Sequence, residues 1–284
     1  MTKNTNQPLA THHSPLTNRN KASLKSFWHN RQLIWQMAKR EVVGRYRGSI
    51  FGLLWSFLNP VFMLTIYTFV FSVVFKAKWS VGSDSKSEFA IILFAGLIVF
   101  NLFAETVSRS PSLILANVNY VKKVVFPLEI LPVVSILSST FHTLVSVGVL
   151  LIFKLIINHQ LEFTILLLPF VLAPLLILTL GLSWFLASLG VYLRDVSQTI
   201  GLLTSALMFL SPIFFPLSAL PPSFQKIVLI NPLTFIIEQG REILIFGRLP
   251  NWPGLGIYTL VSIFVALLGL AWFQKTRKGF ADVL

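Results

Sequence analysis

Residues 39–75 read KREVVGRYRGSIFGLLWSFLNPVFMLTIYTFVFSVVF, and the change of composition inside this stretch decides the fold. Six cationic residues lie between positions 25 and 47 (Lys25, Arg31, Lys39, Arg40, Arg45, Arg47), whereas residues 51–75 carry no charge. These 25 uncharged residues, rising about 1.5 Å each, reach roughly 37 Å as a helix, enough to cross a hydrocarbon core of about 30 Å with some tilt. A basic segment thus runs into a membrane span, and its amino end is expected on the cytoplasmic side.

Composition agrees. Of 284 residues, 55% are hydrophobic and 12% charged, against about a quarter charged in a soluble domain. The net charge of +13 does not point to nucleic acid, because the charges flank apolar runs and form no stripe on a polar domain. With no cysteine there is no disulfide, thiolate metal site or thiol nucleophile. Residues 1–22 are polar, lack the apolar run of a signal peptide, and are expected to be a disordered cytoplasmic tail.

Residues 23–48 are expected to form an amphipathic interface helix ahead of a permease domain at 49–284. Within 24–42, Phe27, Trp28, Ile34, Trp35, Ala38 and Val42 share one helical face, and Lys25, His29, Gln32, Gln36 and Lys39 the other. Trp28, Trp35, Lys39 and Arg40 suit the headgroup layer, where tryptophan and cationic side chains both settle.

Further spans are expected at 89–108, 130–153, 163–193, 196–220 and 255–273. The second contains Glu105, which pairs with Arg109 one turn on; a carboxylate in a span costs about 2.5–3.5 kcal/mol on insertion scales and so faces protein or water. Pro169, Pro174 and Gly181 mark the fourth span as tilted or kinked, and Arg194-Asp195 is so tight a turn that the fourth and fifth spans are antiparallel neighbours. Between the fifth and last spans, 223–230 and 233–246 are apolar helices half a span long, separated by Asn231-Pro232. They lie in the interface or dip in and return, the latter only where protein or a water-filled cavity covers the backbone. The fold class is therefore all-α: a polytopic membrane protein with six transmembrane helices, an N-terminal interface helix and re-entrant helices before the last span. Sixteen Lys and Arg fall in the segments this topology puts inside and seven in those outside, which places both termini in the cytoplasm.

Catalytic signals are missing. No phosphate-cradling G-x-x-x-x-G-K-[ST] occurs, and His12, His13, His29, His142 and His159 lack the spacing of a metal site. What stands out is aromatic content within the spans. Trp55, Phe62 and Phe69 recur every seven residues along one stripe of the first span, Tyr67 lies on a second, and Phe209, Phe214 and Phe215 close the fifth. Such rings either pack against lipid and core or line a conduit along which the apolar C–H faces of sugars slide. Asn59-Pro60 is placed to widen that conduit by kinking the span. Glu238, Arg241 and Glu242 share a helical face and are expected at the polar edge of an outer gate. Between the second and third spans, residues 117–126 hold Asn117, Tyr120, Val121, Lys122 and Lys123, an amphiphilic knob that suits either a groove on another protein or the headgroup layer.

These segments resemble the membrane subunits of ABC transporters that export polysaccharides, including O-antigen, capsule and teichoic-acid permeases. The resemblance covers nearly the whole chain after about Gln32. It rests on KREVVGRYRGSIFGLLWSFLNP, VNYVKKVVFPLEILP, LGVYLRDVSQ, SPIFFPLSALPPSF, INPLTFIIEQGREILIFG and FQKTRKGFADVL. It implies a homodimer of six-span subunits in the bacterial cytoplasmic membrane, docked on two copies of a separate ATP-binding subunit. That partner binds the ATP, and the chain itself needs no cofactor. In this reading 117–126 touches the ATPase, 223–246 shapes the outer gate, and the cargo is a lipid-linked polysaccharide. A membrane-embedded glycosyl- or acyltransferase would need acidic, His or diphosphate-binding residues clustered at one membrane face, and an ion-coupled carrier would need ionisable groups at mid-membrane and internal repeats.

Overall fold

The computed structural model describes residues 24–75, 79, 86–122 and 126–284. Among them every regular element is helical, as lipid requires of a spanning segment that must satisfy its own backbone groups. The chain runs through α1 (Leu24–His29), α2 (Arg31–Arg45), α3 (Trp55–Tyr67), α4 (Lys86–Arg109) and the short α5 (Val118–Lys122). It continues through α6 (Ile130–Asn158), α7 (Leu168–Tyr192), α8 (Val196–Leu210), the pair α9 (Pro222–Ile230) and α10 (Pro232–Leu244), α11 (Trp252–Thr276) and a last turn, α12 (Phe280–Val283). The expected tail at 1–22 lies outside the described residues.

Among the described residues five stretches are long and apolar enough to cross a membrane: Gly52–Phe71, Glu88–Ser112, Ile130–Ile157, Phe163–Tyr192 and Trp252–Val283. The expected fifth span, 196–220, forms a shorter helix. Ser211 precedes Pro212, which disfavours the helical conformation, and its backbone is extended. The 15 residues of α8 rise only about 22 Å, so a count of six depends on reading this short apolar helix as a span.

α4 is the centre of the bundle. It is apolar on nearly every face, which is the pattern of a helix surrounded by protein, and Ala90, Ile92, Leu93, Ala95 and Val99 have no exposed surface. Around it stand α6, α7, α8 and α10. The first span changes geometry along its length. A 3₁₀ turn at Gly52–Leu54 leads into α3, which contains Pro60, and a π-helical segment follows at Thr68–Val74, with the Phe75 amide donating to the Val70 carbonyl at 2.9 Å. Such wide turns recur at functional sites.

The tightest helix contact joins α7 and α11. A Cβ added at Gly269 would lie 2.0 Å from the Gly181 carbonyl oxygen, and one at Gly181 would lie 2.6 Å from the Ala266 Cα. Only glycine permits this approach, the usual device where lipid removes the hydrophobic drive for helix association. The proline-marked fourth span opens with a 3₁₀ segment at Phe163–Leu167 and then runs through Pro174 as one α-helix, α7.

At the basic end, ion pairs tie the amino-terminal helices to the spans. The expected Glu105–Arg109 pair exists at 3.8 Å but belongs to a larger network: Glu105 also pairs with Arg45, and Arg109 with Glu41 at 2.6 Å. Buried Glu129 pairs with Arg277 at 2.9 Å and fixes α6 to the end of α11. The single interface helix expected over 24–42 is broken at Asn30. Ile34, Ala38 and Val42 are buried, with Ile34 and Ala38 against Ile130 and Val134, and Phe27 meets Trp184 with ring centroids 5.9 Å apart. Trp28 and Trp35 do not share that buried face, being 74% and 68% exposed. At 100° per residue Trp35 sits about 60° around α2 from the centre of that face, Trp28 belongs to α1 before the break, and Lys39 and Arg40 are exposed as well.

Candidate functional site

Where α2 ends, three spans diverge around a cavity of about 510 Å³. Its polar end is formed by Arg45, Tyr46, Glu105, Arg109 and His142, and its apolar end by Pro60, Met63, Phe94 and Ile98. Asn59 and Asn101 project into the middle from α3 and α4, and both are exposed. The Tyr46 hydroxyl lies 3.4 Å from His142 Nδ1, and partial burial raises the phenol above its ordinary pKa while Arg45 pulls it the other way. Two nitrogens at this end make no hydrogen bond although they are shielded: His142 Nε2 and Arg109 Nη1. Sequence reasoning passed over His142 because it was weighed only as a metal ligand. The usable signal was Asn101, a lone polar side chain in the apolar run 89–104. Among the described residues no three His, Asp or Glu side chains come together as a metal site.

The residues expected at a polar gate edge separate in the structure. Arg241 is not at an edge but fully buried, held among carbonyls: Nε donates to Ile92 at 3.1 Å, Nη2 to Ile213 at 2.9 Å, and Nη1 to Pro212 and to the Glu238 carboxylate at 2.8 Å. Trp79 covers the guanidinium at 4.4 Å. Gly96 makes the room, since a Cβ there would lie 2.7 Å from Nη2. Glu238 is half-buried, and Glu242 faces Arg248 at 3.6 Å. Both ends of α10 are also fixed. The Asn231 side chain accepts from the Leu233 amide, and the terminal carbonyls of Ile243, Leu244 and Ile245 accept from Thr164 and buried Lys154. A lysine at a helix carboxyl end also complements the helix dipole. By contrast α9 exposes Phe224, Ile227, Leu229 and Ile230.

The aromatic positions divide in two. Phe62, Phe69 and Phe209 are 53%, 59% and 64% exposed and point out of the single chain. Trp55 is half-buried and donates to Ser49 Oγ at 2.8 Å; Tyr67, Phe214 and Phe215 are half-buried too. The structure joins Phe209 and Phe214 to the first span through Phe71, with successive centroids 5.6 and 6.0 Å apart, and Phe89 stacks on Phe71 at 5.4 Å. Phe71 is thus the hinge of the cluster, and Phe89 a member that spacing within one span could not reveal.

The knob between the second and third long helices carries α5. Tyr120 stacks on Phe126 at 4.4 Å and accepts from Arg40 Nη2 at 3.1 Å, so it ties this loop to α2. Asn117 donates to the Leu113 carbonyl at 2.8 Å, Val121 is half-buried, and Lys122 is exposed beside α12, donating to the Leu284 backbone oxygen. Lys123 lies outside the described residues.

Comparison with known proteins adds to this geometry. The sequence pattern of the ABC-2 type transporter family matches residues 32–245. The O-antigen export system permease protein RfbA of Klebsiella pneumoniae is 26% identical, over 87% of this chain and 93% of its own length. The polysialic acid transport protein KpsM of Escherichia coli is 28% identical, over 84% of this chain and 92% of its own length. The capsule polysaccharide export inner-membrane protein CtrC of Neisseria meningitidis is 25% identical, over 89% and 96%.

Proposed function

The chain belongs to the ABC-2 type transporter family, and from that premise we propose that it is the transmembrane subunit of an ATP-driven exporter that moves a lipid-linked polysaccharide across the bacterial cytoplasmic membrane. The observation that carries the reading is that relatives named for O-antigen, polysialic acid and capsule export all align with it over most of both lengths. The chain is a transport component, and its family implies an ATP-binding subunit as partner. The missing phosphate-cradling loop supports assigning ATP entirely to that partner.

In mechanistic terms, two copies of the chain pair with two ATP-binding subunits, with both termini in the cytoplasm. The exposed rings of Phe62, Phe69 and Phe209 are polarisable surfaces facing away from the single chain, as a conduit shared between two copies requires. They join Trp55, Tyr67, Phe214 and Phe215 as the sugar-facing set. Asn117 to Lys123 is the element that receives the ATPase, and Arg40 carries its movement into α2. At the opposite end α10, pinned at both termini and through Arg241, forms the fixed side of an outer gate whose polar groups are Glu238 and Glu242. The interface helix, with Trp28, Trp35 and Lys39, sets the depth of the assembly in the headgroup layer. Deleting the gene should abolish surface polysaccharide while the lipid-linked polymer accumulates inside the cell. Unchanged surface polysaccharide would contradict the assignment.

A further inference from the structure

We propose that the cavity between α3, α4 and α6 binds the phosphate ester of a lipid, its polar end holding the phosphate and its apolar end the first carbons of the tail. The volume of about 510 Å³ lies within the roughly 300–1,000 Å³ typical of small-ligand sites. The chemistry of the wall narrows the class. At the polar end stand two guanidiniums, Arg45 and Arg109, and one carboxylate, Glu105. Glu41 contacts Arg109 Nη2 from outside the cavity, and Glu105, which also pairs with Arg45, stands 3.8 Å from Nη1, which is shielded and makes no hydrogen bond. His142 Nε2 is equally unsatisfied; when the Tyr46 phenol donates to Nδ1, the neutral ring carries its hydrogen on Nε2 and presents a donor. Asn59 and Asn101 add amide donors.

A buried donor without a hydrogen bond costs about 1–3 kcal/mol, so a wall with a shielded imidazole nitrogen and a guanidinium nitrogen whose carboxylate neighbour is 3.8 Å away favours an acceptor-rich guest. A phosphate or diphosphate offers several anionic oxygens to guanidinium forks. A free anion would have no use for Met63, Phe94 and Ile98 at the other end, whereas an esterified lipid satisfies both. Met63 is 50% exposed, which leaves the apolar end open for a tail to leave between helices. The two sources of this chemistry are a bilayer phospholipid and the lipid carrier of the cargo. The second rests on the exporter reading.

The test uses the purified full chain in nanodiscs of digalactosyldiacylglycerol, a lipid without phosphate, and measures binding of geranylgeranyl diphosphate against geranylgeraniol. The diphosphate should bind at least tenfold more tightly, and raised salt should weaken it. Arg109→Gln should weaken binding about tenfold; because Arg109 also pairs with Glu41, Asn101→Leu serves as a second variant that leaves the ion pairs intact and should weaken it several-fold. Equal affinity for alcohol and diphosphate, absence of saturable diphosphate binding, or wild-type binding by a folded Asn101→Leu protein would each overturn the proposal. Adding phosphatidylglycerol to the nanodiscs separates the sources: displacement of the probe identifies a bilayer lipid, and retention identifies the carrier type. No ATPase or export is involved, so failure of the exporter reading and failure of this site give different results.

Discussion

Arg241 Nε donates to the Ile92 carbonyl oxygen at 3.1 Å, which locks a short helix at one end of the bundle to the most buried span. The same guanidinium reaches two more carbonyls and Glu238, so a cation with no exposed surface is satisfied on every side. Removing one partner of a buried, paired charge costs about 3–5 kcal/mol. Arg241→Ala should lower the thermal midpoint of the solubilised protein by many degrees, and Arg241→Lys should recover little, because an ammonium cannot match the planar fork. A midpoint within two degrees of wild type, on the order expected of a surface change, would show that the site is not structural.

Gly269→Val should prevent α7 and α11 from meeting, since the first added carbon alone falls 2.0 Å from the Gly181 oxygen. The expected result is loss of monodisperse protein on size-exclusion chromatography. Gly256→Ala, in the same helix with nothing within 4 Å of the added carbon, should behave as wild type.

Tyr120 is engaged inside its own chain, so it does not isolate the interface with the ATP-binding subunit. Exposed Asn119 does. Asn119→Arg should sharply reduce co-purification of the ATP-binding subunit while the chain still inserts and folds. Undiminished co-purification would place the docking element elsewhere.

Phe62→Ala and Phe69→Ala remove rings that are more than half exposed, so the amount of folded protein should change little while polysaccharide export falls several-fold. Phe71→Ala, at the centre of the ring cluster, should cost about 3–5 kcal/mol of stability and reduce both together. Parallel loss of protein and export in the first pair would make those rings packing residues.

What the sequence revealed follows from which forces are local. Length and apolarity fix the long helices, and the half-length pair around Asn231-Pro232 emerged with ends within two residues of the expected 223–230 and 233–246 because proline marks their starts. Helical periodicity correctly grouped Ile34, Ala38 and Val42, yet it also swept in Trp28 and Trp35, since a face drawn 100° wide does not separate its centre from its flank. Arg241 was misplaced because spacing along one helix shows which residues share a face and not what that face meets. Its acceptors, at Ile92, Pro212 and Ile213, lie on other elements. The cavity was hidden for the same reason: its wall draws on α3, α4, α6 and the end of α2, and the pattern within any one of them does not show which polar residues the others bring to it.

The most direct measurement of the central claim uses inverted membrane vesicles that carry this chain and its ATP-binding subunit, supplied with lipid-linked polysaccharide on the outside. The account predicts ATP-dependent appearance of the glycan in the vesicle lumen, absent with the chain alone and absent when the partner cannot hydrolyse ATP. Accumulation at the same rate without ATP, or none with every component present and folded, would contradict it.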